Sequence, residues 1–371
     1  MRVTLVISSL SAGGAERVMS IMANYWAGNE WHITLVTLSK ADTDFYTIHP
    51  GVTRIGLDML ANSNSPMDAI RNNVRSIWRL RHVILRSRPD AVISFMDKMN
   101  VSTCMALLGT GIQLIISERT DPAHHRVGRL WEMMRKMAYP IANAVVVQSE
   151  TVKRWIEHHT PCSRIVVIPN PVLPPPIVNA DSLGLHSILN ITASSKIIAS
   201  MGRLGHEKGF DLLIEAFAKI VPDSPGWHLA IIGEGPERQN LEDLVARFGI
   251  GSRVHFLGRL NSPQEFLRQA DLFVMSSRYE GFPNALCEAM SCGLPVVSTD
   301  CPSGPREIIR DGVDGVLIPP NSSKELADAM QRLIADEAER KRLSENSHQI
   351  LERFSLPSVM SMWEDTITLP N

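Results

Sequence analysis

Short aliphatic and β-branched runs closed by turn residues recur along the 371-residue chain, separated by stretches of helical periodicity. Val3–Ser9, His32–Leu38, Ala91–Phe95, Gln113–Ser117, Ala144–Gln148 and Ile165–Ile168 read as strands in the first half. Lys196–Met201, His228–Ile232, Val254–Leu257, Leu272–Met275, Pro295–Ser298 and Gly315–Ile318 repeat the pattern in the second. Strands joined by crossover helices form a parallel sheet covered on both faces, so the chain reads as α/β and doubly wound, twice over. Between the two series stand Pro169, Pro171, Pro174, Pro175 and Pro176, which can continue neither helix nor strand and read as a semi-rigid connector. Two Rossmann-like domains divided at Asn170 would leave a cleft facing the carboxyl ends of both sheets, where such sheets bind ligands.

With 44% hydrophobic and 20% charged residues the chain can build both cores without disulfides. Five scattered cysteines without a Cys-x-x-Cys pair read as reduced thiols of a cytoplasmic protein with no metal site. No window supplies the roughly 18 uncharged apolar residues that span a bilayer; Ala91–Ser117 comes nearest and is broken by Asp97 and Lys98. The apolar start after Arg2 imitates a short leader but runs into Ser8-Ser9-Leu10-Ser11 and reads as a buried strand. The net charge of −2 hides an asymmetry: residues 1–170 hold 19 Lys and Arg against 13 Asp and Glu, while residues 171–371 hold 18 against 26. A first half at +6 points to an anionic surface or substrate, and a second half at −8 would repel a long polyanion. With 6% aromatic residues and no recognisable DNA or RNA module, nucleic acid is not an expected partner.

The densest set of chemistry-bearing residues lies in the second half. After the strand ending at Met201 comes Gly202-Arg203-Leu204-Gly205-His206-Glu207-Lys208-Gly209, leading into a helix at Phe210–Ile220. The glycines let a ligand approach the backbone, and Arg203 and Lys208 supply a planar fork and a point charge, which is how a protein without a metal binds a diphosphate. A second stretch runs from Ser277 to Gly293. Pro283 suits the first turn of a helix and Gly293 its end, which leaves Glu280 in the loop and Glu288 one to two turns into the helix. The N–H groups of Asn284, Ala285 and Leu286 at that helix start are expected to receive phosphate oxygens, while a carboxylate accepts paired hydroxyls of a ribose or hexose. Either pair alone would be ordinary solvated surface.

The Arg203-x-x-x-x-Lys208-Gly209 loop and the Glu280-x7-Glu288 motif in its Glu-Gly-Phe-Pro-Asn setting, with Gly13-Gly14-Ala15-Glu16-Arg17 after the first strand, resemble the retaining glycosyltransferases of family 4. The resemblance covers nearly the whole chain. It implies the GT-B fold, with two Rossmann-like doubly wound domains facing a central cleft. Residues 1–170 would be the acceptor domain, 171–354 the nucleotide-sugar domain, and 355–371 a helix packing back on the first. By position it implies that Arg203 and Lys208 stabilise the donor diphosphate, Glu280 holds hydroxyls of the donor sugar and Glu288 binds the nucleotide ribose. Gly14 would be where backbone approaches the transferred sugar and phosphate. The donor would be a UDP-sugar, with no cofactor or metal, since the protein supplies the positive charge itself. A nucleotide-sugar epimerase of the same fold, or transfer to a different lipid or soluble acceptor, is the alternative. One departure stands out: many relatives place a histidine in the loop after an N-terminal strand, where this chain has Ile116-Ser117-Glu118-Arg119-Thr120-Asp121-Pro122 and then His124 and His125. Glu118 and Arg119 are expected either to line the acceptor site there or to pair with each other.

Asp68–Arg88 reads as one helix on which Arg71, Arg75, Arg79, His82 and Arg86 fall within an arc of roughly 80°, while Ile70, Val74, Ile77 and Ile84 occupy another face. The plain expectation is a solvated basic face on a core-packed helix. A comparable basic helix in the resembling bacterial N-acetylgalactosaminyltransferases implies that Arg71, Arg75 and Arg79 grip the diphosphate of a polyprenyl-linked acceptor at an anionic membrane surface, on the inner face of the cytoplasmic membrane. Two motifs read as decoys. Asp42-Thr43-Asp44 imitates a metal-binding Asp-x-Asp but reads as an acidic loop, and Gly233-Glu234-Gly235-Pro236 lacks the rest of a dinucleotide fingerprint. Met133, Met134 and Met137 are expected to pack one helix face.

Overall fold

The computed structural model describes residues 1–60, 65–124, 128–176 and 185–368. The chain divides into two compact units, Met1–Pro171 with Pro357–Asn371, and Val172–Leu356.

The first unit is built on a seven-stranded parallel sheet of β1 (Arg2–Ile7), β2 (His32–Thr37), β3 (Thr53–Gly56), β4 (Ala91–Phe95), β5 (Gln113–Ser117), β6 (Ala144–Val147) and β7 (Ile165–Val167), in the order β3-β2-β1-β4-β5-β6-β7. The second has six parallel strands, β8 (Lys196–Met201), β9 (Trp227–Ile232), β10 (Val254–Gly258), β11 (Leu272–Met275), β12 (Val296–Thr299) and β13 (Val316–Ile318), in the order β10-β9-β8-β11-β12-β13. Each sheet grows outward in both directions from its first strand. Each therefore has a switch point, between β1 and β4 in one and between β8 and β11 in the other, where neighbouring loops diverge and leave room for a ligand.

Strand β3 has no counterpart in the sequence reading. It is an edge strand of four partly exposed residues, too short and too wet to show a hydrophobic run. Its Arg54 donates to both Asp44 oxygens at 2.7 Å, so the Asp42-Thr43-Asp44 loop fastens the sheet edge. In the second sheet, side chains alternate between two cores. Ile198 and Val274 join Leu213, Phe217 and Leu229 on one face, while Ala199 and Phe273 join Leu286 and Met290 on the other.

The helix Pro66–Ser87 starts on a Ser65 cap that accepts from the Asp68 N–H at 3.1 Å and ends at Arg88 with φ 47°. It packs through Leu80 and Ile84, with Ile77 and Val83 partly buried beside them. Ile70 and Val74, expected on that packed face, stand in solvent. Helical periodicity defines an apolar stripe but not how far a neighbour extends along it. Met133 and Met137 are likewise exposed, and only Met134 of the three packs against the core. The last helix, Leu356–Thr368, returns to the first unit, where Trp363 lies 5.9 Å from Phe95 and Gln113 donates to the Ile367 carbonyl at 2.8 Å.

Candidate active site

The two motifs of the second half leave the carboxyl ends of β8 and β11, the strands flanking the switch point. After β8 the chain passes Gly202 and Arg203, buries Leu204 as an anchor, makes a single turn at His206–Lys208 and enters the helix Phe210–Ile220 through Gly209. Gly209 has φ 63°, and a Cβ there would run into the Ser276 carbonyl, so this junction admits no side chain. The turn holds Lys208 so that its Nζ donates to both oxygens of Glu280, 72 residues away, at 2.7 and 2.8 Å. Glu280 is 7% exposed and takes a third hydrogen bond from Ser277 Oγ at 2.6 Å. Arg203 is exposed and, among the described residues, its guanidinium has no partner.

Several residues that the sequence did not single out lock these loops together. Arg278 donates to both Asp211 oxygens, at 2.8 and 2.6 Å, and to the His206 carbonyl at 2.8 Å. The hydrogen bond to Asp211 raises the Arg278 pKa, so the cation that clamps the loops stays charged. Ser276 Oγ donates to the Lys208 carbonyl at 2.9 Å, and Thr299 Oγ1 to the Ser277 carbonyl at 2.6 Å. The Gly233-Glu234-Gly235 stretch has its use here too: the Glu234 carbonyl accepts from the Leu204 N–H at 3.0 Å and so holds the Arg203 loop from below. A serine or arginine that acts only through its neighbours carries no sequence signal of its own.

The helix Asn284–Ser291 follows, with Pro283 capping it. Glu288 is partly buried on it and accepts from Gln264 Nε2 at 2.9 Å. The expected row of three free N–H groups is corrected. Asn284 N–H donates to the Phe282 carbonyl at 2.9 Å and Leu286 N–H to the Pro283 carbonyl at 3.0 Å, because the tight Phe-Pro turn satisfies its own donors. Of the three, only Ala285 N–H is not so engaged among the described residues. The Leu286 side chain is core.

In the first unit, Gly14 is exposed at the start of the helix Gly14–Gly28, which follows β1 and is capped by Gly13 in an extended conformation. That N-terminus lies beside the β1/β4 switch point, and the Glu16 carboxylate folds back over Gly13 there. Glu118 and Arg119 do not pair with each other, which corrects that expectation, and both are buried. Glu118 is sealed inside, bound by Tyr139 Oη at 2.5 Å with Arg135 at 3.6 Å, and burial raises its pKa to about 6 against the pull of Arg135. Arg119 points elsewhere, 3.6 Å from the Phe95 ring centre and 5.7 Å from that of Trp363, with Nη1 donating to Asn170 at 2.6 Å. Successive residues after β5 point to opposite sides, so neighbours in sequence enter separate networks. His124 binds Asp121 at 2.9 Å, and His125 lies outside the described residues. On the helix Pro66–Ser87, Arg71 and Arg75 are exposed, while Arg79 donates to the Leu57 carbonyl at 3.4 Å. No group of His, Cys, Asp and Glu able to hold a metal ion occurs among the described residues.

Residues 12–173 match the family model described as Glycosyltransferase Family 4, and residues 185–350 match Glycosyl transferases group 1. The chain belongs to the family 4 glycosyltransferases. Its two parallel-sheet domains are those of the GT-B fold. Over 98% of its length this family 4 chain is 26% identical to 97% of a Campylobacter jejuni alpha-1,4-N-acetyl-D-galactosaminyltransferase, named for a diNAcBac-PP-undecaprenol-linked GalNAc acceptor. It is 28% identical to an exopolysaccharide phosphotransferase of Streptomyces coelicolor, matched over 99% of this chain but spanning only 41% of that longer protein. The structure of Anabaena Alr3699/HepE in complex with UDP-glucose superposes with a TM-score of 0.79, covering 100% of both chains at 19% identity.

Proposed function

We propose that the protein transfers a hexose-type sugar (GalNAc, Gal or Glc) from a UDP-sugar to a polyprenyl-diphosphate-linked glycan in surface-polysaccharide assembly, with retention of anomeric configuration. The observation that carries the reading is the Lys208–Glu280 contact at the β8/β11 switch point, on the same loop as Arg203, whose guanidinium has no partner among the described residues. Breaking the bond between the anomeric carbon and the donor phosphate sends its electron pair onto the diphosphate. Lys208 and Arg203 stabilise that charge more in the transition state than in the ground state. Glu280 accepts hydroxyls of the donor sugar, and until substrate arrives it occupies Lys208, so neither charge is left bare. Glu288 takes the ribose hydroxyls, while Ala285 N–H and the helix start at Gly14 face phosphate and sugar. The acceptor hydroxyl attacks from the face the diphosphate leaves, and the leaving phosphate takes its proton. No protein nucleophile and no metal ion is needed.

The acceptor class rests on the Campylobacter relative and on the basic helix, whose exposed Arg71 and Arg75 would present their charge to phosphate groups at an anionic membrane surface. The enzyme would work at the cytoplasmic face, where its donor is made. The test is turnover of a panel of UDP-sugars with polyprenyl-diphosphate acceptors, reading UDP release and the configuration of the new linkage. Release of UDP with an axial linkage, insensitive to EDTA, is expected. Isomerisation of the UDP-sugar without acceptor would make the protein an epimerase instead, and a strict need for a divalent ion would overturn the metal-free account.

A further inference from the structure

Three adjacent strands of the first sheet share one pattern on the face beneath the end of the helix Pro66–Ser87. Side chains two residues apart along a strand point the same way, and the register sets Arg2 beside His32 and Thr34 beside Thr53. On β1 that face reads Arg2, Thr4, Val6, on β2 His32, Thr34, Val36, and along β3 Thr53, Ile55 and then Leu57. Each line runs from polar at the amino end to apolar at the carboxyl end. The helix follows the same gradient: Leu80 and Ile84 join Val6, Val36 and Leu57 in one core, while His82, Arg86 and Ser87 stand over the polar end. A parallel sheet is ordinarily packed with aliphatic side chains under its crossover helix, but here a cavity of about 550 Å³ is left between them. Arg2, His32, Thr34, Thr53, His82 and Arg86 line it, and no carboxylate does. Among the described residues the two guanidiniums and two imidazoles have no hydrogen-bond or ion-pair partner. Asp90 accepts from the Arg2 backbone N–H at 2.8 Å and not from its guanidinium. Thr4 Oγ1 and Ser87 Oγ bond to each other at 2.7 Å where the polar end gives way to the core.

We propose that this cavity binds a small soluble phosphoester, at the amino end of the first sheet and so opposite the carboxyl edge from which the helix Gly14–Gly28 starts. Like charges gathered round a cavity repel one another and favour an anion among them. Guanidinium forks, imidazoles and hydroxyls together match the several oxygens of a phosphate, and the volume lies in the range that takes small ligands. The sheet forms one wall and the helix the other, so a molecule free in solution can enter between them. A bound phosphate then joins the ends of β1, β2 and β3 to the last turns of the helix. A diffuse positive field differs from such a site in one respect: it does not depend on the threonine hydroxyls of the floor, and added salt removes it.

This site is separate from the proposed sugar transfer, and either can fail alone. Isothermal titration of the full chain with inorganic phosphate, glycerol 3-phosphate and glucose 6-phosphate measures binding, with UDP saturating the donor site so that Arg203 and Lys208 are occupied. Saturable one-to-one binding of at least one phosphoester at physiological salt is expected. Arg2→Gln with Arg86→Gln weakens it by about a hundredfold, since each charge-assisted hydrogen bond carries about tenfold. Thr34→Val, which removes a hydroxyl and no charge, weakens it by about fivefold. UDP affinity and the melting temperature without phosphoester hold in both variants. Hydrogen exchange on the wild type gives a reading that needs no variant: the phosphoester slows the amides of residues 82–87 and 53–55. Absence of saturable binding, wild-type affinity in the double variant or in Thr34→Val, or protection that misses both segments would each overturn the proposal. So would binding to anionic vesicles with none to the soluble phosphoesters.

Discussion

The loops after β8 and β11 and the loop after β5 both present charged side chains at the carboxyl end of a parallel sheet, and the structure treats them oppositely. At Lys208 and Glu280 the pairing is with each other, 23% and 7% exposed, in a contact that the proposed function has a diphosphate and a sugar replace. At Glu118 and Arg119 each charge is sealed in a network of its own, with Tyr139 and Arg135 on one side and Phe95, Trp363 and Asn170 on the other. Charges that meet substrate must be held without being used up, whereas charges that hold the scaffold can be enclosed. Side-chain type does not distinguish the two cases; accessibility and the replaceability of the partner do.

That contrast can be broken most directly at Lys208. Lys208→Ala should lower turnover by about a hundredfold to a thousandfold, because one preorganised donor to a developing oxyanion contributes about 2.7–4 kcal/mol. Near-normal steady-state turnover would move the site elsewhere. Gly209→Ala tests the scaffold beneath it: a Cβ at φ 63° against the Ser276 carbonyl should cost about 1–3 kcal/mol in chemical denaturation and displace the lysine. Glu118 supplies the opposite kind of charge. Its folded pKa of about 6 lies above the ordinary carboxylate value of 4.5, so the folded state holds its proton longer than the unfolded state. Between pH 4.5 and 6 the wild type should therefore lose stability as pH rises, by up to about 2 kcal/mol relative to Glu118→Gln, with the difference flat above that window. A stability difference independent of pH would show that Glu118 is not buried as a titrating acid. Ser277→Ala gives the smallest effect, about tenfold in kcat/KM from loss of one hydrogen bond that orients Glu280, with fold stability nearly unchanged. Arg119→Met sharpens the comparison from the other side. Two of the guanidinium's nitrogens have no hydrogen-bond partner among the described residues, so an apolar replacement should leave the melting temperature within a few degrees.

The Arg203–Gly209 and Glu280–Gly293 loops were readable in advance because glycines and prolines at fixed spacing announce tight turns at strand ends, and charges placed on such turns lie at the carboxyl edge of the sheet. Arg278, Asp211 and Gln264 were not readable, since each works through a partner far away in the chain, and Ser277 acts only by holding Glu280 three residues on. The reading of Ile70 and Val74 failed for a related reason. A 3.6-residue period reports that a helix has an apolar side, but only packing shows which part of that side has a neighbour.

Local chemistry thus determined a great deal by itself: two doubly wound α/β units divided by a run of prolines, and a cation pair and one carboxylate on loops at strand ends with a second carboxylate on the helix that follows. These follow from backbone preferences and hydrophobic period, which act over a few residues. Tertiary structure decided which charges meet. The sheet order sets β11 beside β8 and so brings Glu280 to Lys208 across 72 residues, while the return of the last helix buries Arg119 against Trp363. Ion pairing and burial depend on distance and dielectric in space, and neither is a property of sequence separation.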